Sequence, residues 1–291
     1  MVMMMMRSLL RNSFLAAASM SAVSFMACAQ DTSTQTGLTG LKCNALTGAE
    51  QVLSENDETY LIFGEIHGTR EAPRAFGEII CEAAKQGPIV VGIERPANLT
   101  RAMQTFVDSD GSDDARFNLL RGFFDGTDWG LSSQAFLDLF VRMQELKAHG
   151  ADIRMIGFTS TRIVGEGSQT PYEKALAGEL QRASARNPGA RILVLVGNLH
   201  ARLESYPELG DRPGFDPMAM HLPEGEVLSF NIAHTGGTAH MCGAEGCGPL
   251  PVDDKSRPYE DGLMLTDRDS RYNGIWNIGP VTASPPVGKR Y

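Results

Sequence analysis

The chain has 291 residues, of which 42% are hydrophobic and 21% are charged. This composition is typical of a folded globular protein and excludes a disordered chain, a collagen-like fibre and a coiled coil. The net charge at pH 7 is −9, and lysine and arginine form no cluster along the chain. Nucleic acid and anionic lipid surfaces are therefore excluded as partners.

The first 29 residues have the composition of a secretory signal. Arg7 and Arg11 precede an apolar run at 14–26, and Ala27-Cys28-Ala29 follows it. A basic start, a short apolar run and small residues at a cleavage site favour export, with cleavage after Ala29. The apolar run is too short for a stable membrane span.

A lipoprotein acylated at Cys28 is the alternative. Phe25-Met26-Ala27 disfavours it, because these residues differ from the usual Leu-Ala-Gly type of approach. We therefore expect a periplasmic or secreted protein. Residues 30–291 are expected to form a single α/β domain, since no linker divides them. The sequence does not indicate the oligomeric state.

The cysteines that follow this segment are even in number, which favours disulfides in an oxidising compartment; they are Cys43, Cys81, Cys242 and Cys247. Gly243 and Gly246 allow a tight loop, so we expect Cys242 to pair with Cys247, which leaves Cys43 with Cys81. The alternative is a metal site of His240 with Cys242 and Cys247. Structural zinc sites usually space their cysteines by two residues, which disfavours this alternative.

The first elements predict a parallel crossover. Residues 59–64 are an apolar run that ends in glycine, which is typical of a buried strand. The apolar residues of 71–86 recur at helical spacing, and Gly87-Pro88 ends that helix. Residues 89–94 form a second buried strand, so strand, helix and strand follow one another in a βαβ unit.

Residues 96–131 interrupt this alternation with acidic, glycine and aromatic residues. Such an insertion of helices and loops over one end of the sheet is either a lid over a site or a plain surface excursion. After it, Ser132 or Ser133 is expected to cap a helix that ends at His149-Gly150.

The rest of the chain resumes the alternation. A strand at 152–159 precedes a helix that begins at Thr170-Pro171-Tyr172-Glu173, which has the pattern of a capping box. The run at 191–197 is the most apolar strand, and shorter strands follow at 226–232, 262–266 and 274–279. The expected fold class is α/β, with a mostly parallel central sheet, helices on both faces and antiparallel additions near the C-terminus.

Two strand ends share the pattern Gly-x-x-His. The first strand leads into Gly64-Glu65-Ile66-His67, and the strand at 191–197 leads into Asn198-Leu199-His200. The second strand ends at Glu94. Ligands of parallel sheets bind at the carboxyl ends of the strands. We therefore expect four polar side chains at one edge: Glu65, His67, Glu94 and His200.

These side chains suit two kinds of chemistry. The histidines could act as general bases on water, with the carboxylates orienting them. Alternatively, His67, Glu94 and His200 could hold a divalent metal that activates water. Taken singly, each residue is more simply a structural partner in a hydrogen bond or ion pair, and the joint pattern is what favours a site. A developing oxyanion could be stabilised by one of three arginines, Arg70, Arg74 or Arg95.

The sequence lacks the motifs of several other enzyme classes. It contains no Gly-x-Ser-x-Gly elbow, no phosphate-binding loop, no Gly-x-Gly-x-x-Gly after the first strand and no His-Glu-x-x-His. These absences argue against serine hydrolases, nucleotide enzymes, dinucleotide-dependent dehydrogenases and metalloproteases of the His-Glu-x-x-His type.

The sequence resembles the erythromycin-esterase-like, ChaN-like and Tiki/TraB superfamily at residues 64–71, at Glu94 and at Gly197-x-x-His200. The resemblance covers roughly residues 58–235 and is closest to the ChaN-like haem-binding-uptake Tiki proteins. Erythromycin-esterase-like members imply a hydrolase in which His67 activates water. In that reading Glu65 and Glu94 orient the base or the water, His200 completes the site and an arginine, Arg70, assists. Tiki-like members imply a metal-dependent protease, and ChaN-like members imply a haem-binding protein.

Two functions therefore stay open. The first is an exported hydrolase of an ester, lactone or amide, in a small molecule or a peptide, with a divalent metal as a possible cofactor. The second is a haem- or metal-binding periplasmic protein without catalysis. The Phe-rich segment 123–140, which contains Trp129, could line the pocket in either case.

A late segment at 233–240 contains His234, Gly236, Gly237 and His240. The expected structure is a glycine-rich turn braced by a disulfide. The alternative is a backbone that approaches a ligand closely at its glycines.

Overall fold

The structure, a computed structural model, describes residues 42–122, 124, 130–160, 168–256 and 259–287. All of them fall within one unit, Gln35–Tyr291. The expected signal segment and its cleavage site lie outside the described residues. In the described part of the chain, no helix is long and apolar enough to cross a membrane.

Most strands form at the apolar runs that the sequence predicts. Those of the central sheet are almost wholly buried, because their apolar side chains pack on both faces. The strands are β1 (Tyr60–Glu65), β2 (Ile89–Pro96), β3 (Ile153–Thr159), β4 (Arg191–Gly197), β5 (Val227–Ala233), β6 (Thr235–Gly243), β7 (Gly246–Asp254), β8 (Gly262–Leu265) and β9 (Gly274–Asn277).

The helices connect the strands and cover both faces of the sheet. The apolar periodicity predicts the long ones closely, since the helix expected at 71–86 ends at Ala84. The helices are α1 (Ala49–Glu55), α2 (Glu71–Ala84), α3 (Thr100–Val107), α4 (Asp113–Gly122), α5 (Gln134–Ala148), α6 (Thr170–Arg186) and α7 (Asn198–Ala201).

The central sheet holds seven strands in the order β3-β2-β4-β1-β5-β9-β8. β1 pairs in parallel with β4 and β5, and β2 pairs in parallel with β3 and β4. β9 is parallel to β5, whereas β8 at the edge is antiparallel to β9. The α/β class with a mostly parallel sheet and antiparallel additions near the C-terminus is confirmed.

The hydrophobic core has two layers, one on each face of the sheet. Leu193 of β4 packs in the layer that contains Phe76 of α2 and the buried face of α5. Its neighbour Val194 packs in the other layer, with Leu180 of α6. Because alternate residues of a strand point to opposite faces, a strand buried on both sides reads as a continuous apolar run. Polar groups can then meet solvent mainly at the strand ends.

The segment 96–131 contributes to the core as well as to the surface. Met103, Phe106 and Val107 of α3 are buried against the α2–α5 layer, and Phe124 is buried there too. This packing argues against a loose excursion for the first part of the segment. Residues 123 and 125–129, which a lid would include, lie outside the described residues.

The cap of α5 comes from a distant part of the chain. Ser133 is the N-cap residue, as predicted, but its side chain makes no cap hydrogen bond. Instead, Ser284 Oγ accepts a hydrogen bond of 2.9 Å from the backbone N–H of Ala135. The C-terminal segment is thereby tied to the start of α5.

The prediction of a glycine-rich turn at 233–240 is wrong, because Ala233 ends β5 and residues 235–240 belong to β6, with His234 alone between the two strands. β6 and β7 form a separate antiparallel pair. Gly237 has φ 132°, and a Cβ there would lie 1.9 Å from the carbonyl oxygen of Val281, so the glycine serves a close backbone approach. Pro249 and Pro251 concealed β7 in the sequence, because proline is excluded from central strands but tolerated in edge strands.

Both predicted disulfides are present. Cys43 pairs with Cys81, which ties the segment before α1 to α2, and Cys242 pairs with Cys247 across the β6–β7 hairpin. The alternative of a metal site formed by His240 with Cys242 and Cys247 is wrong, since the two sulfurs are bonded to each other.

The two disulfides should differ in their effect on stability. Cys43 and Cys81 are 38 residues apart, whereas Cys242 and Cys247 are 5 apart. Loop-closure entropy grows with separation, so we expect Cys43→Ala/Cys81→Ala to lower the free energy of unfolding by about 4 kcal/mol and Cys242→Ala/Cys247→Ala by about 2 kcal/mol. Urea unfolding of the oxidised proteins measures both. An equal loss, or the reverse order, would contradict the expectation.

Candidate functional site

Three strand ends bring the predicted residues together. Glu65 ends β1 and pairs in register with Gly197 at the end of β4. Glu94 lies near the end of β2, which borders β4 on its other side. His67 follows β1 in the turn before α2, and His200 lies in α7, which begins directly after β4.

His67 lies between two carboxylates. Its Nδ1 is 2.9 Å from Oε1 of Glu65, and its Nε2 is 3.1 Å from Oε2 of Glu94. The Glu65 side chain is fully buried, whereas 26% of the His67 side chain is exposed. The imidazole is therefore held from both sides and can still be reached from solvent.

Glu94 also faces the second histidine. Its Oε1 is 3.4 Å from Nε2 of His200, and its Oε2 accepts a 2.7 Å hydrogen bond from the backbone N–H of Gly197. Nδ1 of His200 is 2.7 Å from Oε2 of Glu173. The five side chains form a continuous chain of contacts, which we call the His/Glu cluster: Glu65, His67, Glu94, His200 and Glu173.

Glu173 is the member that the sequence analysis missed. The predicted capping box does not form, because Gln169 is the N-cap of α6 and makes no side-chain cap bond. The Glu173 carboxylate instead accepts hydrogen bonds from Gln169 Nε2 and from the backbone N–H of Met218. Since a fully buried glutamate requires partners, its pairing with His200 explains its burial. The sequence signal was an acid in the first turn of a helix, which has a simpler local reading.

Two glycines make the contacts possible. A Cβ at Gly197 would lie 3.1 Å from Nε2 of His67 and 3.4 Å from Oε2 of Glu94. A Cβ at Gly64 would lie 2.7 Å from Cβ of Ala201 and 2.9 Å from Cα of Asn198. The glycine of each Gly-x-x-His pattern therefore leaves the space that α7 and the His/Glu cluster occupy.

Charge pairing controls the protonation of both histidines. Burial alone lowers the pKa of His67, but the charge of Glu94 and hydrogen bonds to Glu65 and Glu94 outweigh it and raise that pKa to about 10. Burial likewise lowers the pKa of His200, and hydrogen bonds to Glu173 and Glu94 raise it to about 9. Both imidazoles therefore carry a proton at neutral pH in the resting protein.

The carboxylates respond in opposite directions. Burial raises the pKa of Glu94, yet the charge of His67 and hydrogen bonds to both histidines hold it well below its usual range. Burial raises the pKa of Glu65 above its ordinary value, against the hydrogen bond to His67. Glu94 is thus the ionised centre of the cluster.

The His/Glu cluster opens into a cavity of about 500 Å³. This volume is in the range of small-molecule sites. Glu65, His67, Glu94 and His200 of the cluster line the cavity, together with residues from the turn after β1, the end of β4, α7, β6 and Gly130; these are Ile66, Gly130, Gly197, Asn198, Leu199, His240, Met241 and Cys242. Phe136 and Phe140, which the sequence placed in a pocket-lining segment, are instead fully buried in the core. Trp129 lies outside the described residues.

The predicted arginines lie elsewhere. Arg70 is exposed, and its backbone N–H donates to the carbonyl of Thr282. Arg74 is also exposed, and Arg95 is buried with its guanidinium donating to Ser132 Oγ. None of the three is among the described residues that line the cavity. A role for Arg70 in catalysis stays a prediction without geometric support.

The predicted metal ligands are brought together, but they contact one another. Metal-bound histidines usually give their second nitrogen to a carboxylate, and Glu65 and Glu173 hold the two Nδ1 atoms in this manner. However, in the described part of the chain no group of three or more His, Cys, Asp and Glu side chains has the geometry to hold a metal ion. The metal role of His67, Glu94 and His200 stays a prediction, and no step below is assigned to a metal.

The pKa shifts predict how stability depends on pH. The pKa of His67 is about 10 in the folded protein and about 6.5 in the unfolded chain. Its charge pairing therefore stabilises the folded state fully below about pH 6.5, and this stabilisation is lost as the pH rises toward 10. Glu94 has a lowered pKa, so its contribution is lost as pH falls below about 4.5. We expect the melting temperature to fall between about pH 6.5 and 10 and to fall less steeply in Glu94→Gln. The exposed control Glu208→Gln should keep the parent slope; an unchanged slope in Glu94→Gln would contradict the assignment.

Comparison with known proteins finds similar structures but no similar sequences. No protein-family model and no curated protein matches the sequence. Among solved structures, a histidine-to-asparagine mutant of the erythromycin esterase EreC in its open conformation matches with a TM-score of 0.56 at 11% identity, over 88% of this chain and 98% of that one. A succinoglycan biosynthesis protein matches with a TM-score of 0.57 at 10% identity, over 82% of this chain and 91% of that one. The chain thus shares its fold with these two structures.

Proposed function

We propose that the protein is an exported hydrolase that uses the His/Glu cluster to activate water against an ester, lactone or amide. One observation carries the proposal: the accessible imidazole of His67 is held by two carboxylates and lines a cavity of small-molecule size. An imidazole oriented by a carboxylate is the usual general base in such chemistry. The shared fold with an erythromycin esterase supports the same reaction class.

His67 is the base in this proposal. When His67 loses the proton on Nε2, its Nδ1–H remains bonded to Glu65, which fixes the tautomer and the ring plane. Loss of that proton also breaks the contact between Nε2 and Glu94, which stays bound to the Gly197 N–H and faces His200, so that a water can enter beside Nε2 and donate to it. Nε2 of His67 takes a proton from water as the water oxygen attacks the carbonyl carbon. The same proton then passes to the leaving oxygen or nitrogen as its bond to carbon breaks.

His200 supplies positive charge in the same step. Glu173 holds its Nδ1, and Met218 and Gln169 hold Glu173 in turn, so the imidazolium is fixed. A fixed cation in a partly buried site can stabilise the oxyanion of a tetrahedral intermediate. This role replaces the arginine that the sequence indicated, since none of the three candidates lines the cavity.

Export is supported by the disulfides. Two cysteine pairs are bonded in the structure, and disulfides persist mainly in oxidising compartments. Together with the signal-like residues 1–29, this favours a periplasmic or secreted enzyme. The proposed substrate is a small molecule or a peptide, and the cavity volume of about 500 Å³, which is in the range of small-molecule sites, supports the former.

Haem binding without catalysis is the competing function, and the contacts of the cluster do not favour it. Haem needs an axial ligand with a free donor atom and a large apolar cleft. The cavity is lined by the charged side chains of Glu65, His67, Glu94 and His200, rather than by the large apolar surface that haem needs. A Soret shift on adding haemin to the purified protein, lost in His67→Ala or His200→Ala, would overturn the hydrolase in favour of this function.

Removal of the base should abolish hydrolysis. We expect His67→Ala to lower kcat/KM by about 10²–10⁴-fold on whichever ester, lactone or peptide of a substrate panel the parent cleaves. His149→Ala is the matched control, since His149 is exposed at the end of α5. Circular dichroism establishes that both variants are folded. Equal activity of folded His67→Ala and the parent would refute the proposed base.

The pH profile should be bell-shaped with an alkaline optimum. The reaction needs His67 without its Nε2 proton and His200 with its proton, and the raised pKa values of about 10 and about 9 place both transitions above neutrality. We expect kcat/KM to rise from pH 7 to an optimum between about 9 and 10. At each pH, the background rate measured with His67→Ala is subtracted from the rate of the parent. A profile that falls between pH 7 and 9 would mean that His67 acts as a proton donor instead.

A further inference from the structure

Apolar side chains surround the two histidines at the cavity. Ile66 directly precedes His67 in the chain, and Leu199 directly precedes His200. Met241 lies on β6, which brings a third chain segment to the same cavity. We call Ile66, Leu199 and Met241 the apolar wall.

The apolar wall is open to solvent to an extent that packing does not explain. Leu199 is 48% exposed, and Ile66 and Met241 are half-buried. Exposed leucines occur elsewhere on the surface, and Leu209 is 74% exposed. Of the large exposed apolar residues in the described part of the chain, however, Leu199 alone lines the cavity. Apolar surface beside polar groups in a concave site is typical of ligand recognition.

The charges of the cavity disfavour an anionic ligand. No lysine or arginine is among the described residues that line it. The His/Glu cluster sets three carboxyl groups against two imidazoles whose pKa values are raised. In the proposed reaction His67 is neutral and the charge of His200, which Glu173 holds, serves the oxyanion, so no cation of the cluster is left for a carboxylate elsewhere in the substrate. A substrate carboxylate would thus be desolvated there without a partner.

We propose that the apolar wall selects an uncharged substrate that carries an apolar group next to the bond that is cleaved. This inference rests on the proposed hydrolase and names its substrate class. Ile66 and Leu199 line the same cavity as His67 and His200, so a group held against them lies near the reacting carbonyl. Met241 closes the site from the hairpin, whose backbone is fixed by the Cys242–Cys247 disulfide.

The test compares 4-nitrophenyl esters of acetate, hexanoate and glutarate, the last of which carries a free carboxylate. We expect kcat/KM for the hexanoate ester to exceed that for the acetate and glutarate esters by about 10-fold or more. Leu199→Ser and Met241→Ser should each lower the hexanoate-to-acetate ratio by about 5-fold. Leu199→Met should retain the ratio, and the control Leu209→Ser should change neither ester. Thermal unfolding establishes that all variants are folded.

A second measurement separates binding from catalysis. The ketone 2-octanone has no bond to hydrolyse, and it should raise the melting temperature of the parent but not that of Leu199→Ser. If esters are cleaved without a chain-length preference, or if the glutarate ester matches the hexanoate ester, the substrate class is wrong and the hydrolase stands. If no ester is cleaved above the His67→Ala background while 2-octanone still stabilises the parent through Leu199, the hydrolase is wrong and the apolar preference stands. If no ester is cleaved above that background and 2-octanone does not stabilise the parent, both the hydrolase and the apolar preference are overturned.

Discussion

The geometry of the site depends on the contacts of the Glu94 carboxylate. It accepts the backbone N–H of Gly197 and faces Nε2 of both His67 and His200. Without this charge, two imidazolium ions would repel each other in a partly buried site, where charges interact more strongly than in water. The strand order makes the bridge possible, since β4 lies between β2 and β1. A side chain at the end of β2 can thereby reach both the turn after β1 and the helix after β4.

The members of the His/Glu cluster differ in burial, and the difference separates residues that hold the histidines from residues that solvent can reach. The side chains of Glu65 and Glu173 are fully buried, that of Glu94 is 14% exposed and that of His67 is 26% exposed. The two buried carboxylates each hold a histidine at Nδ1, so both Nε2 atoms point toward Glu94. Ring orientation is thus determined from within the protein, and the proposed function assigns proton transfer to Nε2 of His67.

Apolar periodicity and the residues at strand ends predict the central sheet and four residues of the His/Glu cluster. Glu173 and β7 could not be predicted in this way, because their roles depend on contacts with distant parts of the chain. Continuous apolar runs predict the parallel strands because burial on both faces leaves no polar position. The Gly-x-x-His patterns mark the site because glycine alone admits the close contacts at Gly64 and Gly197. Glu173 escaped notice because an acid in the first turn of a helix has a local explanation. β7 was not predicted because it contains prolines, which are rare in strands.

The walls of the cavity are held together by main-chain contacts around Gly68. Its φ is 92°, and a Cβ there would lie 2.2 Å from the carbonyl oxygen of His240. A Cβ at Gly130 would lie 2.3 Å from the Gly68 nitrogen, and the His240 N–H donates to the Gly68 carbonyl. These backbone contacts place β6 beside the turn after β1, which brings Met241 and Ile66 to the same cavity. In the proposed hydrolase, the side chains that would contact the substrate are thus carried on segments that backbone contacts hold together.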